Sequence, residues 1–78
     1  MHPKLINAHA ELANAEEILN DYNDKHGPDK ENKDAYLADL FRRTNKEIGL
    51  AIADSSPLSA KRANLTAIML HYYVNENY

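Results

Sequence analysis

Four histidines, five tyrosines and a scattering of serines and carboxylates are the residues of this 78-residue chain whose types could do chemistry. His2, His9, His26 and His71 include no pair three or four apart, so no helical turn offers two imidazoles to one zinc ion. The chain has no cysteine, which removes thiolate ligands and disulfides together. Asp21 and Asn23 stand two apart, as the first ligands of a calcium loop do. Such a loop needs Gly at its sixth position and Glu at its twelfth, where this chain has His26 and Asn32. No metal and no cofactor is expected. Ser55, Ser56 and Ser59 cluster at a helix start, where capping accounts for them, and none lies in a Gly-x-Ser-x-Gly elbow. Glu16 and Glu17 are neighbours in sequence and so point in different directions on a helix. A helical domain of this size also leaves little room for an enzyme-sized pocket. No catalytic residue is assigned, and the chain reads as a protein that is not an enzyme.

The elements that must position these residues are helices. Leu5, Ala8, Leu12, Ala15, Leu19 and Tyr22 recur at alternating spacings of three and four, placing all six on one stripe of a helix over about 3–24. Pro3 suits its first turn, where a missing N–H costs nothing. Gly27 and Pro28 break the pattern, and Lys25 to Asp34 reads as a charged, solvated connector with Asp29 or Asn32 as the next cap. A second helix follows over about 34–53, with Leu37, Leu40, Phe41, Thr44, Ile48, Ala51 and Ile52 on its apolar side. Arg42, Arg43, Lys46 and Glu47 lie mostly on the other, and Arg43 and Glu47 are spaced to pair. Gly49 inside this helix costs roughly 1 kcal/mol relative to Ala, which predicts a close backbone approach or a bend there. Ser56 followed by Pro57 is the arrangement of a cap and a first helical residue. The third helix runs over about 57–74, with Leu58, Leu65, Ile68, Met69 and Tyr72 as its buried stripe and Asn64 and His71 away from it. Asn75 to Tyr78 are expected to fray.

No stretch alternates with the period of a strand. The expected fold is all-α, a three-helix up-and-down bundle forming a single helical domain over 1–78. A chain this short buries only about 60–65% of its unfolded surface, and with disulfides and thiolate metal sites removed, homodimerisation is the staple left open to it. No apolar run approaches the roughly 20 residues that span a bilayer, and the first residues lack the apolar core of a signal peptide. Membrane insertion is not expected, and a cytoplasmic location is.

The formal charge is −3, unevenly spread. Residues 1–24 carry five acids against Lys4 alone, whereas five of the nine basic residues, Arg42, Arg43, Lys46, Lys61 and Arg62, sit on or beside the turn near Ser56. Thr44-Asn-Lys-Glu-Ile-Gly, followed after a turn by Ser56-Pro-Leu-Ser-Ala-Lys-Arg, resembles the LuxR-type DNA-binding helix pair over about 20 residues. That resemblance implies a helix-turn-helix over 44–64 whose second helix offers Ser59, Lys61, Arg62 and Asn64 to DNA. The chain departs from the pattern at Ala53 and Asp54, where the family has Gly and then an apolar residue, and in one extra turn residue. Its acidic first segment also repels phosphate, whose contacts supply much of such binding.

The preferred reading is therefore a small protein-binding domain, an adaptor, inhibitor or immunity-type accessory protein. In size and build it is similar to helical bacteriocin-immunity proteins. Its partner is another protein or itself, with nucleic acid as the alternative. The candidate contact residues are Arg42, Arg43, Lys46, Lys61, Arg62, Tyr72 and Tyr73, with Gly49, Ser56 and Pro57 structural.

Overall fold

The computed structural model describes residues 1–78 and is all-helical, with no strand. It has four helices where three are expected: α1 (Pro3–His26), α2 (Asp29–Asn32), α3 (Ala35–Asp54) and α4 (Pro57–Asn77). The extra one, α2, is a single turn inside the expected connector, closed by Asn32 and Lys33 N–H groups bonding to Pro28 and Asp29 carbonyls. No helix is long and apolar enough to cross a membrane.

The helix ends follow from capping chemistry. His2 Nδ1 accepts from the Lys4 N–H at 3.1 Å ahead of Pro3. Gly27, at φ +83°, ends α1 while its N–H bonds to the Asn23 carbonyl, a conformation glycine adopts without a Cβ clash. The cap of α3 is Asp34, not Asp29 or Asn32, and its Oδ1 accepts from the Leu37 N–H at 2.9 Å. Ser55 closes α3 in the left-handed region at φ 53°, and Ser56 Oγ accepts from the Leu58 N–H at 3.2 Å to start α4 at Pro57. The expected roles of Ser56 and Pro57 are thus the observed ones.

Two apolar clusters hold the helices together. One joins Leu5 and Ala8 of α1 to Ile48 and Ala51 at the end of α3 and to Ala60, Ala63 and Ala67 at the start of α4. The other joins Ala15 and Leu19 to Leu37 and Leu40 at the start of α3 and to Leu70 and Val74 late in α4. Leu12 packs against both. The order of residues in these clusters makes α1 and α4 run the same way and α3 run back between their ends. The molecule is a rod of 40 × 19 × 17 Å, and α4 packs along both other long helices while α1 and α3 meet little.

That central position of α4 overturns one expectation. Leu58, Leu65, Ile68, Met69 and Tyr72 do not form its buried stripe; they are 57%, 53%, 40%, 46% and 67% exposed. Its inward face is Ala60, Ala63, Asn64, Thr66, Ala67, Leu70 and Val74. The reason is steric: a helix flanked by two others approaches both closely only where its side chains are small. Asn64, expected away from the core, is buried because Asn7 Nδ2 donates to its Oδ1 at 2.6 Å. Ile52 is likewise exposed rather than on the buried side of α3. Gly49 is corrected too, since a Cβ built there meets nothing within 4 Å. It marks no close helix contact.

Candidate protein-binding surface

The solvent face of α4 is built by simple periodicity. Leu58, Leu65 and Tyr72 are seven apart, two turns each, and Ile68 and Met69 fill the space between the last two. All five point outward because the alanine side of the same helix points in. Lys61 and Arg62 occupy the turn between Leu58 and Leu65, and Asn75 and Glu76 occupy the turn beyond Tyr72; all four are exposed. The result is an apolar band from Leu65 to Tyr72, bounded by the two cations that separate it from Leu58 and, toward its C-terminal end, by an amide and a carboxylate. Sequence reasoning found these residues but assigned them to the wrong side. The usable signal was that α4 carries apolar residues on both faces, one small and one large.

The five basic residues are not drawn into one cluster of contacts. Arg42 Nη2 meets Asp39 Oδ1 at 2.5 Å, and Arg43 Nη1 lies 3.8 Å from Asp39 Oδ2, so Arg43 pairs with Asp39 rather than Glu47. These pairs are solvent-exposed and worth about 0–1 kcal/mol each. Lys46, Lys61 and Arg62 form no ion pair, and the last two border the apolar band of α4 instead.

Tyr72 and Tyr73 part company. The ring of Tyr72 stands 67% exposed in the band. Tyr73 is half-buried, its ring 4.8 Å from that of Tyr36 and its hydroxyl donating to Asp34 Oδ2 at 2.8 Å. Tyr78 does not fray: its hydroxyl donates to the same oxygen at 2.8 Å, its ring packs edge-on to Tyr22 at 5.1 Å, and Lys30 Nζ sits 4.4 Å from its centroid. Lys30 also donates to the Asn77 carbonyl. Burial pulls the Asp34 carboxyl upward, but the Leu37 N–H, the Tyr78 and Tyr73 hydroxyls and nearby Lys30 outweigh it and hold the group below its ordinary 3.8. The hydrogen bond to Asp34 raises the Tyr73 phenol above 10.0, and burial followed by the same carboxylate raises that of Tyr78 further. This cluster is a structural tie between α3 and the end of α4.

The histidines are dispersed. His2 caps α1, His26 packs against Tyr22 at 4.6 Å, His9 is exposed, and His71 Nδ1 meets Glu11 Oε2 at 2.5 Å across α1 and α4. At the end of the rod Met1, Leu5, Ala51, Ile52 and Ala60 line an open depression of about 360 Å³ whose only titratable side chain is His2.

The α3–α4 pair is an αα-hairpin. A DNA-reading helix pair meets at about 90–120° and then diverges, whereas α3 and α4 share both core clusters along their length. Of the positions the resemblance would aim at DNA, Asn64 is buried on Asn7 and Ser59 Oγ donates to Asp54 Oδ2 at 2.9 Å, leaving Lys61 and Arg62 free. No protein family matches the chain, no curated protein is significantly similar to it, and no solved structure matches its fold.

Proposed function

We propose that this chain is a small, non-enzymatic, cytoplasmic protein-binding domain, a bundle of three long helices in up-down-up order that presents the outer face of α4 to its partner. One observation carries the reading: five large apolar side chains of α4 stand 40% to 67% exposed on one face while the helix buries its small ones. Scattered exposed apolar residues are ordinary on soluble proteins, but a contiguous band rimmed by charge is the usual mark of an interaction site. Tyr72 and Met69 suit that role, being residue types enriched at interfaces. Lys61, Arg62 and Glu76 supply the polar rim, and Arg42, Arg43 and Lys46 on α3 become peripheral. Tyr73 belongs to the internal tie rather than to the contact surface.

The test is a photo-crosslinking residue placed at position 65 and, separately, at the exposed position 13 of α1, with irradiation in the native cell. A polypeptide adduct from position 65 and none from position 13 is the expected outcome. Equal labelling from both, or none from either, removes the assignment of this face.

A further inference from the structure

We propose that the partner on this face is a second copy of the chain, with the two α4 helices packed antiparallel about a two-fold axis passing between Ile68 and Met69. The inference rests on the protein-binding reading above and names its occupant. Charge decides the orientation. In a parallel, in-register pair Lys61 would lie beside Lys61 and Glu76 beside Glu76. In the antiparallel register centred between Ile68 and Met69, each Ile68 lies across from Met69 of the second copy, and each Leu65 across from Tyr72. The same register sets Lys61 opposite Glu76 and Arg62 opposite Asn75, because each of these pairs is equally spaced from the axis. The two polar interruptions of the band thus coincide, and both occurrences of each contact are generated at once, as a self-complementary two-fold interface requires. The centre is apolar and the rim polar, the usual anatomy of a protein contact.

Area agrees. Leu65, Ile68, Met69 and Tyr72, the apolar side chains inside the paired segment, leave on the order of 400 Å² open to solvent, within the range of the biggest patch on a typical monomer. With the rim, burial on both copies comes to roughly 1,200 Å², the lower limit for a specific, stable interface. That is about 600 Å² on each copy, roughly an eighth of its 4959 Å² surface, which places the pair among small, reversible associations. The interior gives the pairing a reason. Six of the thirteen buried apolar residues are alanine (Ala8, Ala15, Ala51, Ala60, Ala63 and Ala67), so one copy buries little large apolar surface alone.

The experiment is sedimentation equilibrium on the purified full chain across about 1–500 µM, a range set by the expected affinity of an interface this small. The wild-type chain should dimerise, and Leu65→Glu, at an exposed position with the helical CD spectrum retained, should be monomeric throughout. Lys61→Glu and Glu76→Lys should each weaken self-association roughly tenfold, since each sets like charges against one another twice. An equimolar mixture of these two variants should regain wild-type affinity, because every pair in the mixed dimer is then attractive. A chain that stays monomeric, a dimer indifferent to Leu65→Glu, or a mixture that fails to recover overturns the proposal. If the chain is monomeric and position 65 still crosslinks to another polypeptide in the cell, the second copy is wrong while the protein-binding reading stands. If neither occurs, both fall.

Discussion

Replacing Asp34 by Ala should destabilise the fold by more than any ordinary helix cap can. The Oδ1 atom caps α3 through the Leu37 N–H at 2.9 Å, and Oδ2 accepts from Tyr73 and Tyr78 at 2.8 Å each. Loss of the cap alone costs about 1 kcal/mol. Each hydroxyl contact adds about 1 kcal/mol, less than the about 1.5–3 kcal/mol of a buried bond to a charged group because the cluster is only half-buried. The expected total is about 3 kcal/mol, a large part of the roughly 4–12 kcal/mol available to a chain this long. It corresponds to a fall in Tm of about 12–24 °C at this size. Asp34→Asn keeps a capping oxygen and should lose about a third as much. Urea and thermal unfolding followed by far-UV circular dichroism measure both, and the cycle with Tyr78→Phe measures the coupling. The titration adds a signature. Asp34 is depressed on folding, so its contribution is complete above pH 3.8 and is lost as pH falls through the lower folded value. Tyr73 and Tyr78 are raised, so theirs is complete below pH 10.0 and is lost as pH rises through the higher folded values. Asp34→Ala should flatten both limbs. A loss near 1 kcal/mol that simply adds to that of Tyr78→Phe would refute the tie and leave only a cap.

Leu70→Ala, at a fully buried position, should cost about 2–5 kcal/mol, whereas Leu65→Ala, 53% exposed, should stay within about 0.5 kcal/mol in the dilute monomer. Urea unfolding of the two variants tests which face of α4 is the core, and the reverse order would return the original stripe to the inside. Gly49→Ala should stabilise by about 1 kcal/mol, since the added methyl enters open space in mid-helix; a loss in the same assay would restore the close contact. Ser55→Gly should stabilise the fold by about 0.5–1 kcal/mol in urea unfolding through relief of the left-handed cap at φ 53°.

The three long helices and the breaks between them are legible in the sequence because local chemistry decides them, whereas the single turn of α2, the Asp34 cap and the run of α4 on to Asn77 are not. Ser56-Pro57 and Gly27-Pro28 punctuate the chain whatever surrounds them, and the three-and-four rhythm of Leu5 to Leu19 admits one reading. The inward face of α4 was not legible, since it depends on a tertiary fact: α4 has a neighbour on each side, so its alanines rather than its leucines fill the seam. Asn64 followed the same logic, being tolerable inside only because Asn7 stands opposite. Nothing local to Tyr78 signals its anchoring, because the carboxylate that receives its hydroxyl lies 44 positions earlier. The same tertiary fact puts Leu58, Leu65, Ile68, Met69 and Tyr72 on the solvent face of α4, where the spacing of apolar residues alone would bury them.

The split between the two sides of α4 bears on how such a protein can change over generations. Substitutions at Leu58, Leu65, Ile68, Met69 and Tyr72 change the exposed face of α4 without touching the seam of Ala60, Ala63 and Ala67 that folds it. The outer face can thus vary at nearly constant stability, one position at a time. The alanine seam has the opposite character: any enlargement there pushes α1 or α3 outward, so it is free to lose almost nothing and gain nothing. One helix carries both the part of the chain open to invention and the part that forbids it.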